Sequence, residues 1–354
     1  MDNIKTIAGI LRAENAKAAL ITSIHDIRWA CGFTGSNALL VVRPDDAFLI
    51  TDGRYTTQSQ EEVKNAKILI ADGALAECAH KHSLVPETGQ VILQAEHTSL
   101  SQHAKLVKDF GDRDWLPKVM LLSKHVAVKN ADEIARIAAA QQITDDVFSG
   151  LVDFIKPGLT EQEVAAEIIY QHLIRGASAM SFDPIVASGP NGALPHARPT
   201  SRVLQQNELI VLDFGCFLNG YASDMTRTIA LGKPQEEALE VYDTVLEAQK
   251  AAVAAASAGM TTSALDQVAR SIITEAGYGD YFTHSLGHGV GLQIHEWPRV
   301  SWQSEDELLE NMVVTIEPGV YIPQQFGVRI EDLIVLKQEG CEVLTRTPKE
   351  LLIL

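Results

Sequence analysis

Leu209-Ile210-Val211-Leu212-Asp213-Phe214-Gly215, then Asn219-Gly220, then Tyr221-Ala222-Ser223-Asp224-Met225-Thr226, is the stretch that decides the fold. Two apolar runs flanking an Asn-Gly pair read as a β-hairpin, because tight hairpin turns need residues that tolerate positive φ. Asp213 is then a charge inside a hydrophobic strand. A loop of Leu218-Asn219 places Asp213 directly opposite Asp224, and a loop of Asn219-Gly220 moves them to a diagonal. Either register keeps both carboxylates on one face, because a shift of two residues preserves the side. Opposed like charges destabilise a sheet, so a cation is expected between them.

The same intrusion of acid into apolar sequence recurs twice downstream. Val313-Val314-Thr315-Ile316-Glu317-Pro318-Gly319 carries one glutamate, and Gly327-Val328-Arg329-Ile330-Glu331-Asp332-Leu333-Ile334-Val335 carries another. Arg329 and Glu331 share a strand face by period two. A buried glutamate without a partner is very costly, so the pair demands arginines or metals. Between the two acid pairs runs Thr283-His284-Ser285-Leu286-Gly287-His288-Gly289-Val290-Gly291-Leu292-Gln293-Ile294-His295-Glu296-Trp297-Pro298. Its glycines disfavour a helix, so His284 and His288 are not a helical zinc pair. They do not form a phosphate loop either, since no Lys-Ser/Thr follows in Walker position.

Two aspartates, two glutamates and a histidine (Asp213, Asp224, Glu317, Glu331 and His288) have the composition of a dinuclear hard-metal site. For any one of them alone, a salt bridge or a cap is the commoner use. Together, each in an apolar strand or a glycine-rich loop, they point to two divalent cations. Carboxylate-rich ligation suits manganese, cobalt or zinc. Such a pair lowers the pKa of a water and clamps the oxygens of a tetrahedral intermediate.

The rest of the chain frames this centre. Its 354 residues suggest two domains. The first 125 alternate helix and strand signals: a helix over Asn3–Lys17, strands at Ala18–Thr22, Ala38–Val42 and Ala47–Thr51, a helix over Tyr55–Asn65, strands at Lys67–Ala71 and Val91–Gln94, and a helix over Ser99–Phe110. This predicts an α/β N-terminal domain. Beyond it, Asn130 with Glu133 and Thr160 with Glu163 are capping boxes. Gly158-Leu159-Thr160 echoes Gly259-Met260-Thr261, and the glycines that follow, Gly176 and Gly277, repeat the same offset. The second domain is therefore expected to be a duplicated α+β unit with a site between its halves.

Charge and cysteine usage exclude several classes. A net charge of −17 and a pI near 5.0 argue against a nucleic-acid or anionic-membrane partner. Cys31, Cys78, Cys216 and Cys341 are far apart and read as reduced thiols. No secretory signal and no apolar run of membrane length is apparent, so a cytoplasmic location is expected.

These motifs resemble the creatinase-like "pita-bread" metallopeptidases: aminopeptidase P, Xaa-Pro dipeptidase (prolidase) and methionine aminopeptidase. The resemblance covers nearly the whole chain. It implies domains at 1–125 and 126–354, the latter a pita-bread α+β catalytic domain with a pseudo-two-fold internal repeat. It also implies metal ligands Asp213, Asp224, His288, Glu317 and Glu331, in the family's order and with none missing. Ser188-Gly189-Pro190-Asn191-Gly192-Ala193-Leu194-Pro195-His196 resembles the substrate loop of the Xaa-Pro branch. His196 maps near the residue after the scissile bond. His295 maps to the histidine that meets the substrate carbonyl, and His284 to the pocket wall. Tyr321 and Arg329 match further family positions. Asp26-Ile27-Arg28-Trp29 with Gly32-Phe33-Thr34-Gly35-Ser36 resembles the family's N-terminal domain, although tyrosine is common where Trp29 stands.

The activity so implied is hydrolysis of the bond between an N-terminal residue and proline by a metal-bridging hydroxide, with Glu317 as proton shuttle and a peptide substrate. Manganese is the expected metal and a homodimer the expected assembly. Two rivals are a non-catalytic binding module on this fold and a creatinase-type amidinohydrolase. Both are disfavoured by the complete ligand set.

Overall fold

The computed structural model describes residues 2–354. It divides into two compact units, Met1–Val126 and Ala127–Leu354. The first is built on a six-stranded mixed sheet, ordered Lys67–Ala71, Ala47–Asp52, Ala38–Val42, Ala18–Ile21, Gln90–Gln94, Asp114–Lys118. Leu20, Val41, Ile50, Val91 and Leu93 from the sheet pack with Leu106 and Phe110 of the helix Leu100–Phe110. Ser99 and Gln102 close a capping box at that helix. The first helix runs Asn3–Ala13, four residues short of the expected end, because Asn15 turns left-handed at φ 53°. The helices Ile24–Cys31 and Leu75–Lys81 and the strand Asp114–Lys118 were not expected.

The second unit consists of two halves with the same wiring, so the expected duplication is present. Each half has a long helix (Ala131–Phe154; Glu236–Ala255), a Gly-x-Thr turn and a second helix (Glu161–Ile174; Thr262–Glu275). Gly158 and Gly259 both hold positive φ, at 97° and 87°. Gly158 N donates to Leu204 O at 3.2 Å, and Leu204 N returns a bond to Leu159 O at 2.8 Å. In the second half Gly259 N donates to Leu308 O, and Leu308 N to Met260 O, both at 2.8 Å. Thr160 and Thr261 cap the second helices, and both helices end on a left-handed glycine, Gly176 and Gly277.

Three antiparallel strands follow in each half. The first half has Ile185–Ser188, Glu208–Phe214 and Met225–Leu231 side by side. The second has Gly287–Gly289, Val313–Ile316 and Asp332–Leu336 in the same order, extended by Glu296–Val300 and Cys341–Val343. The strand residues are nearly all buried, and most pack with the helices of their own half, although Leu209 and Ala230 of the first half join the core of the second. No helix among the described residues is long and apolar enough to cross a membrane. The architecture is an α/β N-terminal domain followed by a pita-bread α+β domain with an internal repeat.

Candidate active site

The hairpin resolves to the diagonal register. Asp213 pairs with Thr226 and Phe214 with Met225, while Leu218 pairs with Tyr221 across a loop of Asn219-Gly220. Both loop residues have positive φ, 50° and 79°, as a primed turn requires. Between the ladders the chain pinches at Gly215: a Cβ there would fall 1.9 Å from the Ser223 carbonyl oxygen. Asp224 therefore sits just before its strand, two residues from Thr226 and on the face of Asp213. Glu317 and Glu331 also lie at strand ends, not within strands. Glu317 follows Val313–Ile316, and Glu331 precedes Asp332–Leu336. Because Ile316 pairs with Asp332, continuing that register sets the two glutamates opposite each other.

These ends converge with His288. One ligand atom each from Asp224, His288 and Glu331 lies within 4.8 Å of the others. His288 Nε2 is 3.5 Å from Asp224 Oδ2 and 3.4 Å from Glu317 Oε1. Its Nδ1 donates to Gly289 O at 3.1 Å, which fixes the tautomer and leaves the Nε2 lone pair facing the acids. Burial, with His295 adding repulsion, lowers the His288 pKa to about 3, so the ring is neutral.

The acids are crowded. Burial raises Asp224 well above the carboxylate range, and the charges of Glu331, Asp213 and Glu317 add to it. Burial raises Glu331 likewise, reinforced by Glu317 and Asp213. Burial lifts Glu317 to about 7. Asp213 Oδ1 and Asp224 Oδ1 are buried oxygens without a hydrogen-bond partner among the described residues. Orphaned carboxylate oxygens, mutual repulsion and a neutral imidazole nitrogen suit divalent cations and no neutral ligand.

An outer layer holds the acids in place. Arg329 is 4% exposed and donates four ways: Nη2 to Asp213 Oδ2 at 2.5 Å, Nε to Thr226 Oγ1 at 3.0 Å, and Nη1 to Tyr321 Oη at 2.7 Å and Pro195 O at 3.0 Å. Thr226 Oγ1 in turn donates to Glu331 Oε2 at 2.8 Å. Thr315 Oγ1 donates to Glu317 Oε1 at 3.0 Å and accepts from His288 N at 3.1 Å. The two threonines were missed in the sequence, although each lies two residues from an acid and period two puts it on the same face.

The remaining site residues fall into two groups. His284 Nδ1 donates to Ser285 O at 2.8 Å, so its Nε2 accepts from the Tyr321 hydroxyl at 2.9 Å. Burial lowers His284 to about 3 and pushes Tyr321 up to about 12, which keeps the ring neutral and the hydroxyl protonated. Both are thus tied into the Arg329 network. His295 and His196 are exposed instead. The His295 ring packs edge-on to His288 at 4.4 Å between centroids. Although the residue is open to solvent, its ring is partly desolvated where it packs on His288, and this desolvation lowers its pKa, against the pull of Asp213 and with the help of His196.

Residues 135–338 match the model of the metallopeptidase family M24, and residues 4–120 match the creatinase/prolidase N-terminal domain. The chain belongs to the metallopeptidase family M24. The family resemblance of the motifs and the expected fold are both borne out. A relative in Bacillus subtilis, "Uncharacterized peptidase YqhT", is 40% identical over 337 residues, 95% of each chain. The Xaa-Pro dipeptidase of Pyrococcus furiosus is 50% identical over 225 residues, 64% of this chain and 65% of that one. Among solved structures, the Xaa-Pro dipeptidase from Bacillus anthracis superposes with a TM-score of 0.96 at 37% identity, covering 100% of this chain and 99% of that one.

Proposed function

We propose that this M24 metallopeptidase is an exopeptidase that cleaves between an N-terminal residue and proline. In this reading residues 126–354 are the catalytic domain and 1–125 the N-terminal creatinase-like domain. Asp213, Asp224, His288, Glu317 and Glu331 hold two divalent cations, with manganese the best match. The observation that carries the reading is the convergence of Asp224, His288 and Glu331 within 4.8 Å, with orphaned carboxylate oxygens beside them. The Xaa-Pro dipeptidases among its relatives supply the substrate class. A cytoplasmic homodimer is what the family resemblance adds.

Divalent cations held by this donor set would supply Lewis acidity and would lower the pKa of a water. The chain's own groups do the rest. Glu317, braced by Thr315, accepts the proton released in the attack and carries it to the departing proline nitrogen. His295 is neutral near pH 7 and exposed, so it donates an N–H to the scissile carbonyl oxygen as that oxygen gains charge. Arg329 holds Asp213 and Tyr321, Tyr321 holds His284, and the Pro195 carbonyl bonded to Arg329 anchors the turn that presents His196 to the residue after the scissile bond. Proline lacks an amide N–H and has a fixed φ, so its bond needs a dedicated site.

The test strips the enzyme with a chelator, restores manganese and assays an Xaa-Pro dipeptide, an Xaa-Pro-Xaa peptide and an Xaa-Ala control. Cleavage is expected only of the proline substrates and only after metal return. Equal rates from stripped and reloaded enzyme, or equal rates on alanine, would overturn the reading.

A further inference from the structure

The segment that carries His295 has no regular structure. Gly291 to His295 are bends between the strand Gly287–Gly289 and the strand Glu296–Val300. An exposed imidazole on such a segment points wherever its backbone is held. Backbone bonds hold it, among them Val290 N to Val313 O at 3.0 Å, Gly291 N to Gln293 O at 3.1 Å, and Ala222 N to Gly291 O at 2.8 Å, and the His288 ring meets the Ile294 backbone.

A further fastening is electrostatic. Glu296, the residue after His295, folds its carboxylate back under the segment. A Cβ on Gly291 would lie 2.7 Å from both carboxylate oxygens, so the acid packs directly against the Gly291 backbone. Gln293 N points at Glu296 Oε2 from 3.5 Å. The Lys129 ammonium meets Glu296 Oε1, and the two side chains are 2% and 7% exposed. Lys129 is itself pinned, because its N–H donates to Asn311 O at 3.0 Å and Val128 bridges to Met312.

A buried lysine–glutamate pair is a weak source of stability, since desolvation offsets most of the attraction. Its value here is geometric. The ammonium holds a carboxylate that is one residue from the imidazole and packed under the backbone that orients it. We infer that Lys129 is a positioning residue for the reaction, acting through Glu296 on His295. The inference rests on the role of His295 proposed above.

The experiment is a double-mutant cycle in manganese-reconstituted enzyme on an Xaa-Pro dipeptide. Single variants Lys129→Met, Lys129→Arg and His295→Ala are compared with Lys129→Met/His295→Ala. Misplacement of a catalytic group by about 1 Å costs on the order of 10²-fold. Lys129→Met should therefore lower kcat by roughly 10- to 100-fold and leave KM within about two-fold, because the lost contact acts in the transition state. Lys129→Arg should restore most of the rate. In the His295→Ala background Lys129→Met should cost less than about two-fold more. The absorption spectrum of the cobalt-loaded protein should not change. Losses that multiply in the double variant, a shifted cobalt spectrum or an effect on KM alone would overturn the inference. An unchanged kcat in His295→Ala alone would instead overturn the role of His295, and with it the inference. If Lys129→Met does not fold, Glu296→Gln in the same two backgrounds carries the same comparison, with the same outcomes deciding it.

Discussion

The two halves of the catalytic unit share a scaffold and differ in chemistry. Both turn on Gly-x-Thr with matching hydrogen bonds, and both place a carboxylate immediately before the last of their three strands, Asp224 in one and Glu331 in the other. Asp213 and Glu317 are the corresponding acids of the middle strands. The first half uses the short aspartate in a diagonal register, and the second uses the longer glutamate in a facing one. The outer strand differs most. In the first half it is Ile185–Ser188, fully buried and with no residue at the cluster of acids, whereas in the second it is Gly287–Gly289, which carries His288. Each half also holds the other's acid: Thr226 donates to Glu331, and Arg329 to Asp213. Duplication explains where the acids stand, and the cross-bracing explains why neither half is a site alone.

If both halves contribute equally, Asp224→Asn and Glu331→Gln should be equally damaging. Each should lower peptidase activity by well over the ~100-fold that attends loss of an outer-layer partner, with loss of bound metal in elemental analysis. In chelator the same variants should melt at higher temperature than the parent, because a repelling charge is gone. A variant that keeps both its metal content and its rate removes that half's acid from the site.

Glu317 offers a pH readout. Burial raises its carboxyl from 4.5 to about 7, so its contribution to stability in metal-free protein is fully present below about pH 4.5 and is lost as pH rises through about 7. The stability advantage of Glu317→Gln over the parent, measured by urea unfolding in chelator, should widen across that window. An advantage that is flat or shrinks with pH would contradict the desolvation of Glu317.

The cross-brace can be weighed against a local one. Thr226→Val removes a donor to Glu331 and an acceptor for Arg329 Nε, whereas Thr315→Val breaks contacts within the second half only. We expect a metal-affinity loss of roughly 10- to 100-fold for Thr226→Val by calorimetric titration, and a smaller loss for Thr315→Val. The reverse order would mean that each half holds its own acids.

The smallest effect lies in the scaffold. Thr160→Ala and Thr261→Ala should each cost about 1 kcal/mol in urea unfolding. Thr160 should cost more, because besides accepting from the helix its hydroxyl donates to the charged Glu163 carboxylate, where that of Thr261 meets the neutral Ser263 hydroxyl.

Features made by neighbours in sequence were legible in it. Asn219-Gly220 fixed a hairpin, and Asn130 with Glu133 and Thr160 with Glu163 marked helix starts where capping boxes stand. The acids were visible because a charge interrupting an apolar run needs a reason. Pairings set by the meeting of distant strands were not legible. Arg329 finds Asp213 from 116 residues away, and period two alone said only that it shared a side with Glu331. The glutamates were expected inside strands because their flanks are apolar throughout, and sequence gives no sign of where a ladder stops pairing. Thr226 and Thr315 were overlooked because a threonine in a strand is ordinary until an acid is seen to need its hydroxyl. The helices Ile24–Cys31 and Leu75–Lys81 are too short for a clear apolar stripe.

The crossing of Thr226 and Arg329 also bears on biosynthesis. The ribosome releases Asp213 and Asp224 well before Arg329 and Glu331. A nascent chain that has emerged only through the first half presents two aspartates with neither their arginine nor their glutamate partner. On the proposed function, the capacity to capture ions therefore arises only when the strands of the second half have emerged, and a chain truncated before Arg329 should leave a translation mixture without bound metal.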